Sequence, residues 1–142
     1  MGLTESIHMI ARGLGWDLDK TVDEILPVVA ETPVETPSIK VQSGDVRGMR
    51  QVGRGLQNDK EVITLEMVMS LGQENPKDVI HIEGTPDVKL VFEGGIHGDI
   101  ATASVVVNAI PRLLELPAGL KTMLDIPPVH CYKGTLNSIR RG

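Results

Sequence analysis

A single cysteine, Cys131, stands in 142 residues. A disulfide framework needs pairs of cysteines and an iron–sulfur or zinc scaffold needs several thiols, so both are excluded and the chain reads as a cytoplasmic protein. Aromatic residues are almost as scarce, with only Trp16, Phe92 and Tyr132. The core must therefore be built from Val, Ile, Leu, Ala and Met, and neither an aromatic-lined pocket nor a base-stacking platform is expected. Basic clusters are missing too. A net charge of -5 without a Lys/Arg patch leaves no electrostatic footprint for a nucleic-acid backbone. The longest apolar stretch, around Ala103 to Ile110, falls well short of the roughly 20 residues that span a bilayer. No charged-then-apolar leader opens the sequence.

What is present is one domain's worth of hydrophobic residues, 41% of the chain, and the reading is a single domain over 1–142. Ile7, Ile10, Ala11 and Leu14 fall on one face of a helix that starts at Thr4 as N-cap, carries Glu5 in its first turn and stops at Gly13 and Gly15. Thr21 to Glu31 reads as a strand, with Pro27 marking an edge or a bulge, followed by a proline-rich connector from Glu31 to Ser38. Two long strands, Val46 to Leu56 and Glu61 to Leu71, meet at Asn58-Asp59, a pair suited to a tight hairpin. In the second strand Ile63, Leu65, Met67, Met69 and Leu71 form one apolar face. The first contains Gly48, Gly53 and Gly55, which point to a bulge or a close backbone approach.

Two shorter strands, Val79 to Glu83 and Val88 to Phe92, flank Gly84-Thr85-Pro86-Asp87. A helix follows from about Asp99, apolar nearly all round and so expected to be buried on most sides, against its own sheet with another domain or subunit as a further candidate, and Pro111 breaks or kinks it. No element is assigned from Pro117 to Arg141.

Several residues carry possible chemistry. Phe92 to Thr102 is a strand, a glycine-rich turn and a helix N-terminus, where free amides can hold an anion. Gly94, Gly95 and Gly98 do not have dinucleotide-loop spacing, and Asp99 competes for the same amides, so a structural turn is the alternative. Gly53-Arg54-Gly55 runs into a hairpin rather than a helix and is no nucleotide loop. His8, His81, His97 and His130 lack paired zinc spacing even with Cys131 added, and no metal site is expected. His97 beside Asp99 has the elements of a base with an orienting carboxylate. Thr4, Glu5, Ser6 and His8, at the start of the first helix, could face a ligand, although capping accounts for Thr4 and Glu5.

Taken together, Gly44-Asp45-Val46-x-Gly48, the hairpin, the Ala-rich helix and Gly119-Leu120-Lys121-Thr122-Met123-Leu124-Asp125 are similar in order to the C-terminal domain of dihydrodipicolinate reductases. A closer resemblance is to diaminopentanoate dehydrogenases. It lies in Gly2-Leu3-Thr4-Glu5-Ser6, Gly13-Leu14-Gly15-Trp16, Pro27-Val28-Val29-Ala30-Glu31, Gly94-Gly95-x-His97-Gly98-Asp99, and Ala101-Thr102 through Asn108-Ala109-Ile110-Pro111. The resemblance implies an α+β domain with a mixed, mainly antiparallel sheet of about four strands and two helices on one face. It also implies the substrate side of an NAD(P)-linked oxidation of an amine-bearing carbon, releasing ammonia and leaving a ketone. Substrate contacts are placed on Thr4, Glu5, Ser6, His97, Asp99 and Thr102, with the catalytic residues unassigned. NAD or NADP is expected in full-length relatives on an N-terminal Rossmann domain. This chain, in which no strand and Gly-rich loop precede the first helix, is expected to bind no cofactor alone and to be inactive alone.

The partners implied are a second copy, as homodimer or homotetramer through the sheet, that Rossmann domain, and a small amino-acid substrate. The His-His-x-x-Lys and Asp-Ala-Pro-Ser-Gly-Thr-Ala stretches of dihydrodipicolinate reductases are absent, which speaks against that substrate. The rival reading is a free-standing, non-enzymatic oligomeric ligand-binding module. A small hydrolase around His97 and Asp99 is weaker, because no activated nucleophile accompanies them.

Overall fold

The computed structural model describes residues 2–133. The chain divides into two compact units, Met1–Glu74 and Asn75–Gly142. The end of the tail, 134–141, for which no regular element is expected, lies outside the described residues.

The first unit opens with α1 (Gly2–Leu14), followed by β1 (Lys20–Val29), β2 (Val34–Glu35), β3 (Lys40–Val41), β4 (Val46–Gln57) and β5 (Lys60–Ser70). The helix starts at Gly2, two residues before the expected N-cap, so Thr4 belongs to its first turn and does not cap it. Glu5 lies in that first turn as expected, where the positive helix end favours it. At the far end Trp16 donates its amide to Ala11 and Gly15 donates to Arg12, with Gly15 at φ 70. Those two bonds close a Schellman cap, which needs a left-handed residue just past the helix.

β1, β4 and β5 form an antiparallel sheet in the order β1-β4-β5. Pro27, with no N–H to give a ladder, therefore sits on an edge strand, and β1 and β4 shift register beside it between Val28 and Val29. The β4–β5 turn is Asn58-Asp59 with φ 51 and φ 59, a pair of left-handed residues matched to the sheet's twist. The Glu31 to Ser38 connector is not wholly irregular. It contributes β2, which pairs with β3 through Val34 opposite Val41 and Glu35 opposite Lys40.

The glycines of β4 let α1 approach the sheet. A Cβ at Gly53 would lie 2.8 Å from Ile7 Cδ1 and 3.2 Å from Leu3 Cβ, and one at Gly55 would lie 2.8 Å from Ile7 Cγ2. Ile7, 0% exposed, fills the groove these missing side chains leave, and with Ala11 and Ile63 it makes the unit's core. Burial of a side chain of that size contributes roughly 1.5–3 kcal/mol.

The opposite face of the sheet is charged. Arg50 donates from Nε to Glu66 at 2.7 Å, while Arg54 reaches Glu24 at 3.9 Å and Glu61 at 3.3 Å. Val52 is enclosed among these side chains at 3% exposure. The hydrogen bond from Arg50, together with its charge, holds the Glu66 carboxyl below the ordinary glutamate value, whereas desolvation opposes the shift. A depressed pKa contributes stability that is present well above the unfolded value of about 4.3 and is lost as pH falls through the folded one. Glu66→Gln is thus expected to lower the urea midpoint slightly at pH 7 and to match the parent in acid, where Glu66 is protonated. An equal loss at both pH values would contradict this origin.

The second unit contains β6 (Lys77–Ile82), β7 (Val88–Glu93) and α2 (Gly98–Leu114). β6 and β7 pair antiparallel, with Ile80 opposite Leu90 and Ile82 opposite Val88. The α+β class with antiparallel pairing is as expected, but the strands divide among three separate sheets, and no parallel pair occurs among the described residues. α2 corrects another expectation. It runs through Pro111 to Leu114, and only Ala109 and Pro111 are buried, while Ile100, Val107 and Leu114 are 62–64% exposed. It is tied to the following segment: Tyr132 donates its amide to Asn108 at 2.8 Å, and Arg112 meets His130 Nε2 at 2.7 Å. An all-round apolar helix reports the surroundings it is made for, and those need not lie within one chain.

Candidate functional site

The residues singled out for substrate contact fall into two groups, one in each unit. Thr4, Glu5 and Ser6 occupy the first turns of α1. Ser6 is committed locally, since its hydroxyl donates to the Gly2 carbonyl at 3.0 Å. Thr4 is half-buried, and its hydroxyl has no hydrogen-bond partner among the described residues, so it keeps both donor and acceptor capacity. Glu5 is exposed.

The second group surrounds the start of α2. Gly94 and Gly95 both adopt left-handed conformations, φ 82 and φ 69, and reverse the chain after β7. Asp78 of β6 then accepts the Ile96 amide at 2.7 Å, and Gly95 donates to Phe92, so the loop's first amides are spent internally. Asp78 was not singled out by the sequence, because a lone strand Asp carries no motif. His97 stands at the N-cap position, makes no side-chain capping bond and is exposed, as are Asp99 and Thr102 beyond it. The only bond from this turn into the helix is backbone, Ala101 to the His97 carbonyl at 2.9 Å.

Neither glycine stretch suits a dinucleotide. The space beside Gly53 and Gly55 is filled by Leu3, Ile7 and Leu18, and at Gly94-Gly95 the nearby Asp78 carboxylate would repel a phosphate. Among the described residues no group of three His, Cys, Asp or Glu side chains could hold a metal ion. A shallow open cleft at the C-terminal end of α1 brings His8, Arg12, Trp16 and Asp17 together, away from Thr4. No helix of the described residues is long and apolar enough to cross a membrane.

One further pair lies on the α1 face of the sheet. Gln51, 4% exposed, is the buried polar residue of the core, and its Nε2 is 2.9 Å from both carboxylate oxygens of Asp23. Neither residue stands out in the sequence. Asp23 lies among Lys20, Thr21 and Glu24 in the polar first half of β1, so no pattern in the sequence marks it.

Comparison with known proteins decides the family. Residues 1–141 match the family model of the 2,4-diaminopentanoate dehydrogenase C-terminal domain. The chain belongs to that family. It is 27% identical to 2,4-diaminopentanoate dehydrogenase of Acetoanaerobium sticklandii over 144 residues, an alignment covering 98% of this chain and 41% of that protein. This C-terminal family domain thus spans well under half the length of its curated relative. The fold is also that of part of an amine dehydrogenase from Mycobacterium smegmatis, with a TM-score of 0.73, 22% identity, and coverage of 89% of this chain and 38% of that one.

Proposed function

We propose that residues 1–142 act as a single substrate-side and subunit-pairing domain of a cytoplasmic NAD(P)-dependent amine dehydrogenase whose substrate is a small diamino acid. The observation that carries this reading is the family match over 1–141, supported by 98% coverage of this chain in the alignment to a 2,4-diaminopentanoate dehydrogenase. In such a reaction a nicotinamide would supply the hydride acceptor for the amine-bearing carbon, and hydrolysis of the oxidised carbon–nitrogen bond would release ammonia and leave a ketone. The glycine stretches of this chain do not fit the dinucleotide, which is assigned to an N-terminal Rossmann domain outside this chain.

The part left to this chain is to bind and orient. Thr4 offers an uncommitted hydroxyl to a substrate carboxylate, while Glu5 can accept from an ammonium group. His97, Asp99 and Thr102 supply exposed polar groups at a turn held rigid by Asp78. The charged open face of the sheet and the apolar stripe Ile100, Val107 and Leu114 are assigned to pairing with a second copy as a dimer or tetramer.

The test is isothermal titration of NADH and NADPH into this chain alone and into its mixture with a separately produced nucleotide-binding domain of a relative. Cofactor binding confined to the mixture supports the reading, and cofactor binding by this chain alone overturns it.

A further inference from the structure

The three-stranded sheet of the first unit has two edges, β1 and β5, and they differ in kind. β1 is protected, because Pro27 withholds a donor and the ladder to β4 slips between Val28 and Val29. β5 carries no proline or glycine in its 11 residues. Its one irregularity is at Val62, the residue left over where Gly55 pairs with Ile63 and Leu56 with Glu61. From Ile63 to Ser70 it pairs with β4 without a break, and among the described residues no strand bonds its outer edge. Such an edge presents a row of unpaired N–H and C=O groups, a template for another strand.

The residues along that edge fit a second copy of themselves. A two-fold axis perpendicular to the sheet sets β5 antiparallel to its copy and keeps both α1 faces on one side. The axis must then pass through a residue, since an axis between two residues opposes side chains of different faces. Within the unbroken stretch only Glu66 and Met67 are central enough to pair three residues on either side. An axis at Glu66 sets two carboxylates directly opposite each other, which is destabilising. An axis at Met67 sets Met67 against itself, Leu65 against Met69, and Thr64 against Ser70. Glu66 then meets Val68, whose own neighbour on β4 is Arg50, so each carboxylate enters a row that holds the other copy's guanidinium. Met69, 55% exposed in the single chain, gains an apolar neighbour. The helices leave room for this, because α1 packs on Gly53 and Gly55, level with Leu65 and Ile63 and away from the axis. The two β4 strands also stand three strand spacings apart, about 14 Å, against the roughly 8–10 Å at which helices pack.

We infer that β5 pairs with β5 of a second copy about an axis at Met67, joining the two three-stranded sheets into one of six strands. The pairing rests on the subunit-pairing role proposed above and gives it an element and a register.

The experiment is light scattering and amide hydrogen exchange on the 142-residue chain over a range of concentrations. A dimer is expected, and as it forms the alternate amides of Thr64 to Ser70 that do not bond to β4 should slow. A mixed sample of methyl-labelled and unlabelled chain should show cross-chain contacts of Met67 with Met67 and of Leu65 with Met69. Val68→Glu sets a carboxylate opposite Glu66 of the second copy twice per dimer, while in its own chain it lies opposite Arg50 and is tolerated. It should weaken the dimer at least about fivefold, and adding Glu66→Gln should recover most of that loss. If the dimer forms without slowing at β5, if Leu65 meets Leu65 across it, or if Val68→Glu keeps full affinity, the inference fails and pairing through another surface stands. If the chain is monomeric at every concentration, the proposed subunit pairing falls as well, while the substrate-side reading is untouched.

Discussion

Gly48→Ala is expected to be among the most destabilising single-methyl additions available to this chain. A Cβ at Gly48 would lie 2.2 Å from the Met69 carbonyl oxygen, 2.4 Å from Ser70 Cα and 2.5 Å from Ser70 Cβ. Those are mainly backbone atoms of the neighbouring strand, so no rotamer change relieves the clash. Relief requires β4 and β5 to separate where Gly48 pairs with Ser70, at the end of the ladder beside the β1 register shift. Overpacking by a methyl in a well-packed site costs about 1–3 kcal/mol where side chains can adjust. With backbone on the receiving side the loss should sit at or above the top of that range and lower the melting midpoint by on the order of 10 °C. Gly98→Ala is the control, since nothing lies within 4 Å of a Cβ there. A Gly48→Ala protein as stable as the control would mean that the β4–β5 register is not the one described.

Ile7→Ala is the second large effect. The side chain is 0% exposed and seated on Gly53 and Gly55, so its loss leaves a cavity between helix and sheet that two glycines cannot fill. Truncations of this kind cost about 2–5 kcal/mol. The close approach also predicts coupling. A methyl at position 53 clashes with Ile7 Cδ1 in the parent but enters vacated space in the Ile7→Ala background. Ile7→Ala combined with Gly53→Ala should therefore be less destabilised than the sum of the single changes, by about 0.5–3 kcal/mol, in urea unfolding. Strict additivity would show that Ile7 does not rest on Gly53.

These two residues also show what was legible beforehand. The glycines of β4 mark a close approach in the sequence itself, because glycines recurring in an otherwise good strand need a reason. The partner of that approach was not legible, since contact between α1 and β4 joins segments some 40 residues apart in sequence, as Ile7 and Gly53 show. The Asn58-Asp59 turn and the Gly15 stop were legible for a simpler reason: each depends on left-handed conformations that few residue types accept. Thr4 was misplaced as a cap because Gly2 and Leu3 extend the helix by less than one turn, within the usual fraying of helix ends.

The short β2–β3 pair went unseen, as two-residue ladders carry no periodicity. For α2 the pattern was legible, but which surface covers it was not. Apolar residues on every side promise burial, yet Ile100, Val107 and Leu114 remain over 60% exposed in the single chain, which is why they are assigned to a partner surface. Of the candidate site, the two helix N-termini were visible in the sequence through their first-turn acids and glycines. Asp23 and Gln51 were not, because a strand's polar residue declares its face only when its neighbour's register is known.

The most direct test of the central claim is calorimetric titration of NADPH and NADH into the chain before and after addition of a relative's nucleotide-binding domain. The account predicts no saturable heat from the chain alone up to about 1 mM cofactor, a ceiling typical of substrate affinities. It predicts cofactor binding in the mixture that tightens further when the diamino acid is added. Tight cofactor binding by the 142-residue chain on its own would contradict it, and would make this an independent nucleotide-binding module rather than the substrate side of a dehydrogenase.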